Sequence, residues 1–295
     1  MTLRERAPAK INLNLAVHGR RGDGYHELTS LVAFAGVSDA LSLEEQGGLS
    51  LSLSGPFAQN LEADDGNLVL RAAQNLASLV PALRMGRFHL VKRLPLASGI
   101  GGGSADAAAA LRLLARLNDL DVSHPALHEA ARLTGADVPV CLRGSACVMS
   151  GAGETLGPAL RLPLLFAVLV NPRVSVATAA VFARLGLKIG QGGSPGSAWP
   201  LAGAGYEDRH DGSAFLRGLT EGHGNDLQKP ALSLAPVIGE TLRALGAHDG
   251  CRLARMSGSG ATCFALFDDR RASVRAAAAL HAMHPGWWIK ATTLR

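Results

Sequence analysis

The sequence predicts an α+β protein of two domains, and three observations carry that expectation. A chain of 295 residues, 47% hydrophobic and 18% charged, has the length for two ordinary domains and enough apolar content for a core in each. In the first half, strands lead through a glycine-rich turn into an alanine- and leucine-rich helix. From residue 164 onward, setting aside an extra helix near 231–245, the pattern reads strand, helix, strand, strand, helix, strand, the βαββαβ order of a ferredoxin-like unit. The boundary falls near residue 158, giving domains over 1–158 and 159–295.

Apolar residues alternate from Ile11 to Val17, so a strand there buries Ile11, Leu13, Leu15 and Val17 and turns Lys10, Asn12 and Asn14 to its other face. Asparagine is depleted in strands, so that polar face reads as the lining of a pocket. Residues 41–43 and 49–53, joined through Gln46-Gly47-Gly48, read as a hairpin. A helix over 67–79 and a strand over 88–92 follow. The next segment, Pro95-Leu96-Ala97-Ser98-Gly99-Ile100-Gly101-Gly102-Gly103-Ser104-Ala105, joins that strand to a helix over 105–117 with Ser104 as its N-cap. Its glycines tolerate positive φ and let backbone N–H groups turn inward, and a helix N-terminus adds a positive dipole end. The segment therefore reads as a phosphate cradle. No lysine follows the glycines as a Walker A loop requires, and Ser104 stands where a dinucleotide loop has its third glycine.

Further along, Ser123 and Pro125 start a helix that Gly135 ends, which leaves Asp137 just past a helix end and Val138 held extended by Pro139. Strands are expected over 164–170, 251–256, 262–267 and 287–293, with helices over 175–185 and 270–283. Residues 188–213 turn glycine-rich and polar and read as a mobile surface loop.

Composition excludes several classes of function. Cys141, Cys147, Cys251 and Cys263 form no CxxC pair and no HExxH spacing occurs, so no metal centre or redox pair is expected and the thiols read as reduced. The apolar stretch 160–170 is broken by Arg161 and Pro163, and the first ten residues lack an apolar leader; the expectation is a cytoplasmic protein without a membrane partner. A net charge of +5 suits anionic substrates, while scattered basic residues and 4% aromatic content argue against nucleic acid.

The run from Pro95 through Gly99, Gly101-Gly-Gly-Ser104 and Asp106-Ala-Ala108 resembles the ATP-binding motif of the GHMP kinases, which phosphorylate small alcohols and phosphates. Ala7-Pro-Ala-Lys10-Ile-Asn12, Gly22-Asp-Gly-Tyr25-His26-Glu-Leu28, Gly135-Ala-Asp137-Val-Pro139 and Met256-Ser-Gly-Ser-Gly-Ala261 fit the same family in order, so the resemblance runs from residue 7 to about 267. It implies an N-terminal domain like domain 2 of ribosomal protein S5 and a ferredoxin-like C-terminal domain. It also implies ATP and Mg²⁺ as cofactors, with ATP on residues 95–105. Ser104 then touches phosphate or Mg²⁺, and Ala105 replaces the family's usual second serine. Asp137 takes the role of general base and Lys10 that of its cationic partner, while Asn12, Tyr25, His26 and Phe182 hold the substrate, its cytosine stacked between Tyr25 and Phe182.

The Gly22–Leu28 segment points within the family to phosphorylation of the 2-hydroxyl of a cytidine-diphosphate methylerythritol, in the non-mevalonate route to isoprenoid precursors, by a monomer or homodimer. Two other readings stay open. One is a different small-molecule kinase of the family, of the mevalonate or homoserine type, against which that segment argues. The other is a nucleotide-sensing protein of the same fold, against which the intact Lys10 and Asp137 argue.

Overall fold

The structure, a computed structural model, describes residues 1–191 and 212–295; most of the loop expected over 188–213 lies outside them. The elements begin with β1 (Thr2–Asn12), β2 (Ala16–Arg20), β3 (His26–Glu44), β4 (Ser50–Ser54), α1 (Leu68–Leu79), β5 (Arg87–Val91), α2 (Gly102–Leu117), α3 (Pro125–Thr134) and α4 (Val138–Arg143). They continue with β6 (Cys147–Gly151), β7 (Thr155–Ala159), β8 (Leu165–Asn171), α5 (Thr178–Ala183), α6 (Gly212–Glu221), α7 (Gln228–Leu234), α8 (Val237–Gly246), β9 (Cys251–Met256), β10 (Cys263–Phe267), α9 (Arg270–Met283) and β11 (Trp288–Leu294). Two compact units are assembled from interleaved segments: Met1–Lys10, Val37–Leu96 and Gly101–Gly144 in the first, Ile11–Gly36, Ala97–Ile100 and Ser145–Arg295 in the second.

In the first unit β5 lies between β4 and the later part of β3, parallel to β4 and antiparallel to β3. The hairpin expected over 41–53 therefore does not form. Helix α1 crosses over between β4 and β5 and makes them parallel neighbours, and β5 buries Phe88 and Leu90 opposite Leu43 and Leu41. Helix α2 is buried almost all round, from Ala107 to Leu111 and at Leu113 and Leu114, so its apolar run marks a central helix.

Helix starts differ from the sequence expectation in three places. The N-cap of α2 is Gly101 in the left-handed region (φ 62°), which puts Ser104 inside the first turn. His124, not Ser123, caps α3, its Nδ1 accepting from Ala126 N–H, while Ser123 bonds to Asp121. Val138 is helical, not extended: Pro139 occupies the first turn of α4, where no N–H is needed, and Asp137 becomes the N-cap.

The second unit contains the antiparallel sheet β11-β8-β10-β9, the strand order of the ferredoxin-like fold, with Val168, Val170, Leu245, Met256, Phe267, Leu280 and Ile289 in its core. The helix near 231–245 is two helices, α7 and α8, separated at Pro236, and the helix over 175–185 shortens to α5. Also in this unit, β2 and β6 both pair antiparallel with the early part of β3, and β7 pairs with β6. The strand expected over 11–17 breaks at Leu13 and Asn14. Asn14 accepts from Leu31 N–H through Oδ1 (2.7 Å) and from Ser30 Oγ through its carbonyl (2.5 Å), bonds that a straight ladder would not allow. Lys10, Asn12 and Asn14 are all buried, so neither side of this segment faces solvent.

Candidate active site

Within the first unit, Lys10 near the end of β1 donates from Nζ to Asp137 Oδ2 at 2.9 Å. The pair is asymmetric, with the lysine 4% exposed and the aspartate side chain 33% exposed, so the carboxylate is the open face. Arg112 of α2 fixes the two elements that carry it. Its guanidinium donates to the Arg6 carbonyl (3.1 Å) and Glu5 Oε1 (3.2 Å) on β1 and to the Cys141 carbonyl (2.8 Å) on α4. Burial, reinforced by Asp137, pushes the Cys141 thiol up to about 12, which leaves it a neutral packing group.

The start of α2 runs against this pair. A Cβ added at Gly101 would lie 3.4 Å from Lys10 Cβ and Cε and 3.8 Å from Asp137 Oδ2. Ala105 N–H makes the first intrahelical bond, to the Gly101 carbonyl (2.8 Å), so the N–H groups of Gly102, Gly103 and Ser104 have no acceptor within the helix. Ala105 is buried with its amide engaged, so it offers neither side chain nor donor.

Beneath them lies a charged cluster that sequence reasoning missed. Lys92 Nζ is 2.6 Å from Asp39 Oδ2 and 2.5 Å from Asp106 Oδ2, all three buried, and a Cβ at Gly102 would lie 3.3 Å from that ammonium. Asp39 Oδ1 also accepts from Arg93 N–H (2.5 Å) and Leu94 N–H (2.8 Å) and so holds the entry to the glycine segment. Burial pushes the Asp106 carboxyl up to about 7, Lys92 opposing the shift and Asp39 adding to it. The available signal was Asp106 itself, one carboxylate in an otherwise apolar helix face.

The second unit collects the remaining predicted residues. Asn12 Nδ2 donates to Ser30 Oγ (2.7 Å), while its buried Oδ1 has no hydrogen-bond partner among the described residues. Ser257 Oγ accepts from Asn12 N–H (3.1 Å) and donates to the Gly99 carbonyl (3.1 Å). Thr262 N–H donates to the Ser98 carbonyl (3.1 Å), so residues 97–100 are sewn to the 257–262 turn. Gly99, at φ 74°, could not be another residue, because a Cβ would lie 2.6 Å from the Ser257 carbonyl oxygen and 2.7 Å from Gly260 N.

His26 stacks on Phe182 with ring centroids 4.5 Å apart and planes at 30°. Burial and then nearby Arg20 hold the His26 imidazole below its ordinary range, so it is neutral at pH 7. Tyr25 stands 61% exposed at the Gly22–Gly24 turn, its N–H bonded to Asp23 Oδ1. The ring that packs against Phe182 is that of His26. Pro95 and Leu96 complete the segment in the first unit.

Residues 67–145 match the family model "GHMP kinases N terminal domain" and residues 206–286 match "GHMP kinases C terminal". The chain is 60% identical over 296 residues to a 4-diphosphocytidyl-2-C-methyl-D-erythritol kinase of Methylobacterium radiotolerans, covering 99% of each chain. It is 56% identical over 306 residues to a protein of the same name from Rhodopseudomonas palustris, covering 100% of this chain and 98% of that one. Among solved structures, a crystal structure of 4-(cytidine 5'-diphospho)-2C-methyl-D-erythritol kinase superposes with a TM-score of 0.77 at 33% identity, covering 99% of both chains. Homoserine kinase from Cytophaga hutchinsonii, at 20% identity and a TM-score of 0.68 over 99% of this chain and 94% of that one, shares the fold.

Proposed function

Because this chain belongs to the GHMP kinases and, within them, to the 4-diphosphocytidyl-2-C-methyl-D-erythritol kinase family, we propose that it transfers the γ-phosphoryl group of ATP to the 2-hydroxyl of 4-diphosphocytidyl-2-C-methyl-D-erythritol. It is an enzyme of the non-mevalonate route to isoprenoid precursors. The observation that carries the chemistry is the buried Lys10 ammonium 2.9 Å from the partly exposed Asp137 carboxylate, against the glycine N-cap of α2.

Phosphoryl transfer requires two substrates held in line and the developing charge offset. The first-turn N–H groups of Gly102, Gly103 and Ser104 and the dipole of α2 bind the ATP phosphates, with residues 95–101 shaping the approach. Asp137 accepts the proton of the attacking hydroxyl as the new O–P bond forms, and ADP leaves. Lys10 orients Asp137 and offsets negative charge in the transition state. Mg²⁺ on the nucleotide supplies further charge neutralisation. The Ser104 hydroxyl, in the first turn of α2, would be its side-chain contact.

In the second unit, Asn12 Oδ1, which has no partner among the described residues, accepts a hydrogen bond from the substrate. Neutral His26 both donates to and accepts from the cytosine edge, and Tyr25 and Phe182 supply ring faces. Residues 1–158 and 159–295 serve as the N- and C-terminal domains of the family architecture, and the enzyme works in the cytoplasm. No helix among the described residues is long and apolar enough to cross a membrane.

The test is an ADP-release assay with the cytidine substrate, mevalonate and homoserine offered in parallel. Turnover on the cytidine compound alone is expected. Equal turnover on mevalonate or homoserine overturns the substrate assignment.

A further inference from the structure

We propose that the Ser257 hydroxyl is a positioning group that couples the two substrates, so that nucleotide on the glycine segment changes affinity for the alcohol substrate through Asn12. The inference rests on the kinase reading above. A hydroxyl has one proton to donate and lone pairs to accept, and Ser257 uses both in opposite directions. Its oxygen accepts from Asn12 N–H at 3.1 Å and its proton goes to the Gly99 carbonyl at 3.1 Å.

The group cannot adjust independently of its surroundings. Ser257 is fully buried, its N–H bonds to the Thr262 carbonyl (2.9 Å), and its own carbonyl accepts from Gly260 N–H (3.0 Å). The turn also touches both partners by shape: a Cβ at Gly258 would lie 2.8 Å from the Gly99 carbonyl oxygen and 3.2 Å from Asn12 Oδ1. Movement of Gly99 when phosphates arrive at the glycine segment therefore carries the turn with it, and the turn carries the Asn12 backbone. Asn12 is the residue whose buried Oδ1 lacks a donor among the described residues, so a shift of its backbone changes how that acceptor meets the substrate.

A link of this kind has a reciprocal signature: each ligand changes the affinity of the other by the same factor. Dissociation constants for the cytidine substrate, measured by calorimetry with and without a non-hydrolysable ATP analogue, give that factor directly. We expect about five-fold or more in the wild type, within the usual range of such couplings. In Ser257→Ala it collapses to within about two-fold while each ligand alone still binds. Ser259→Ala, in the same turn but bonded to Thr178 instead, keeps the wild-type factor.

A measurement on the unmodified protein stands beside the variants. Hydrogen exchange at the Asn12 amide, read by NMR, should slow when the ATP analogue alone is added. An unchanged coupling factor in Ser257→Ala, or an Asn12 amide indifferent to nucleotide, overturns the inference. Wild-type turnover is followed in the same samples: absence of turnover on the cytidine compound defeats the kinase assignment, whereas turnover with unaltered coupling defeats the relay alone.

Discussion

Substituting alanine for the glycines one at a time separates close approach from backbone conformation. Gly99 and Gly101 both have positive φ, 74° and 62°, and an L-residue in that region costs about 1–2 kcal/mol. They differ in their neighbours. At Gly101 the nearest atoms to a new Cβ are Lys10 side-chain carbons at 3.4 Å, an ordinary contact, so the conformational cost is the whole effect. At Gly99 the nearest atoms are backbone, the Ser257 carbonyl oxygen at 2.6 Å and Gly260 N and O at 2.7 Å, and these cannot swing aside. Residues 97–100 must draw away from the turn, losing the Ser257–Gly99 and Thr262–Ser98 hydrogen bonds, each 3.1 Å in the native state. At about 1 kcal/mol each, these bring the loss for Gly99→Ala to about 3–4 kcal/mol, against about 1–2 for Gly101→Ala. Urea denaturation of the two variants measures the difference. Equal losses would refute the claim that this segment is held by close backbone approach to the 257–262 turn.

Two further outcomes follow from the charged and aromatic clusters. The folded-state pKa of Asp106, raised by burial to about 7, lies above its unfolded value, so the folded protein binds the proton more tightly; the contribution of this group to stability is fully present below about pH 4 and is lost as pH rises to about 7. Asp106→Asn should flatten that slope in denaturation midpoints measured across the range, and an identical slope would exclude Asp106 as its source. Replacing Phe182 with alanine removes the ring stacked on His26 and should weaken the cytidine substrate by about 1–3 kcal/mol with ATP affinity little changed, as judged by separate titrations; a selective loss of ATP binding would count against the base pocket.

The ferredoxin-like unit was legible because each of its strands and its C-terminal helix carries its own periodicity, and β8, β9, β10, α9 and β11 fall where the pattern puts them. Pairing was not legible, because it depends on which strand arrives beside which: nothing in residues 41–53 announces that β5 will lie between β3 and β4. In the site, Lys10 and Asp137 sit 127 residues apart, and the family motifs rather than any local pattern joined them. The helix start moved from Ser104 to Gly101 because local capping preference yields where a left-handed residue must pass close to Lys10. Ser257 is 245 residues from Asn12 and looks like any serine in a glycine-rich turn until both of its hydrogen bonds are seen. Lys92 and Asp39 were hidden for the same reason, since a charge in or just beyond a strand reads as solvated until the fold encloses it.

The central claim is that Asp137, held by Lys10, takes the proton from the attacking hydroxyl. Single-turnover transfer from radiolabelled γ-phosphoryl ATP to the cytidine substrate, comparing wild type with Asp137→Asn, tests it most directly. The substitution conserves volume and leaves the first-turn amides of α2 untouched, so ATP affinity should stay within a few-fold while the rate of label transfer falls by about 10² to 10⁴. Label transfer by a folded Asp137→Asn enzyme at a rate close to wild type would contradict the account.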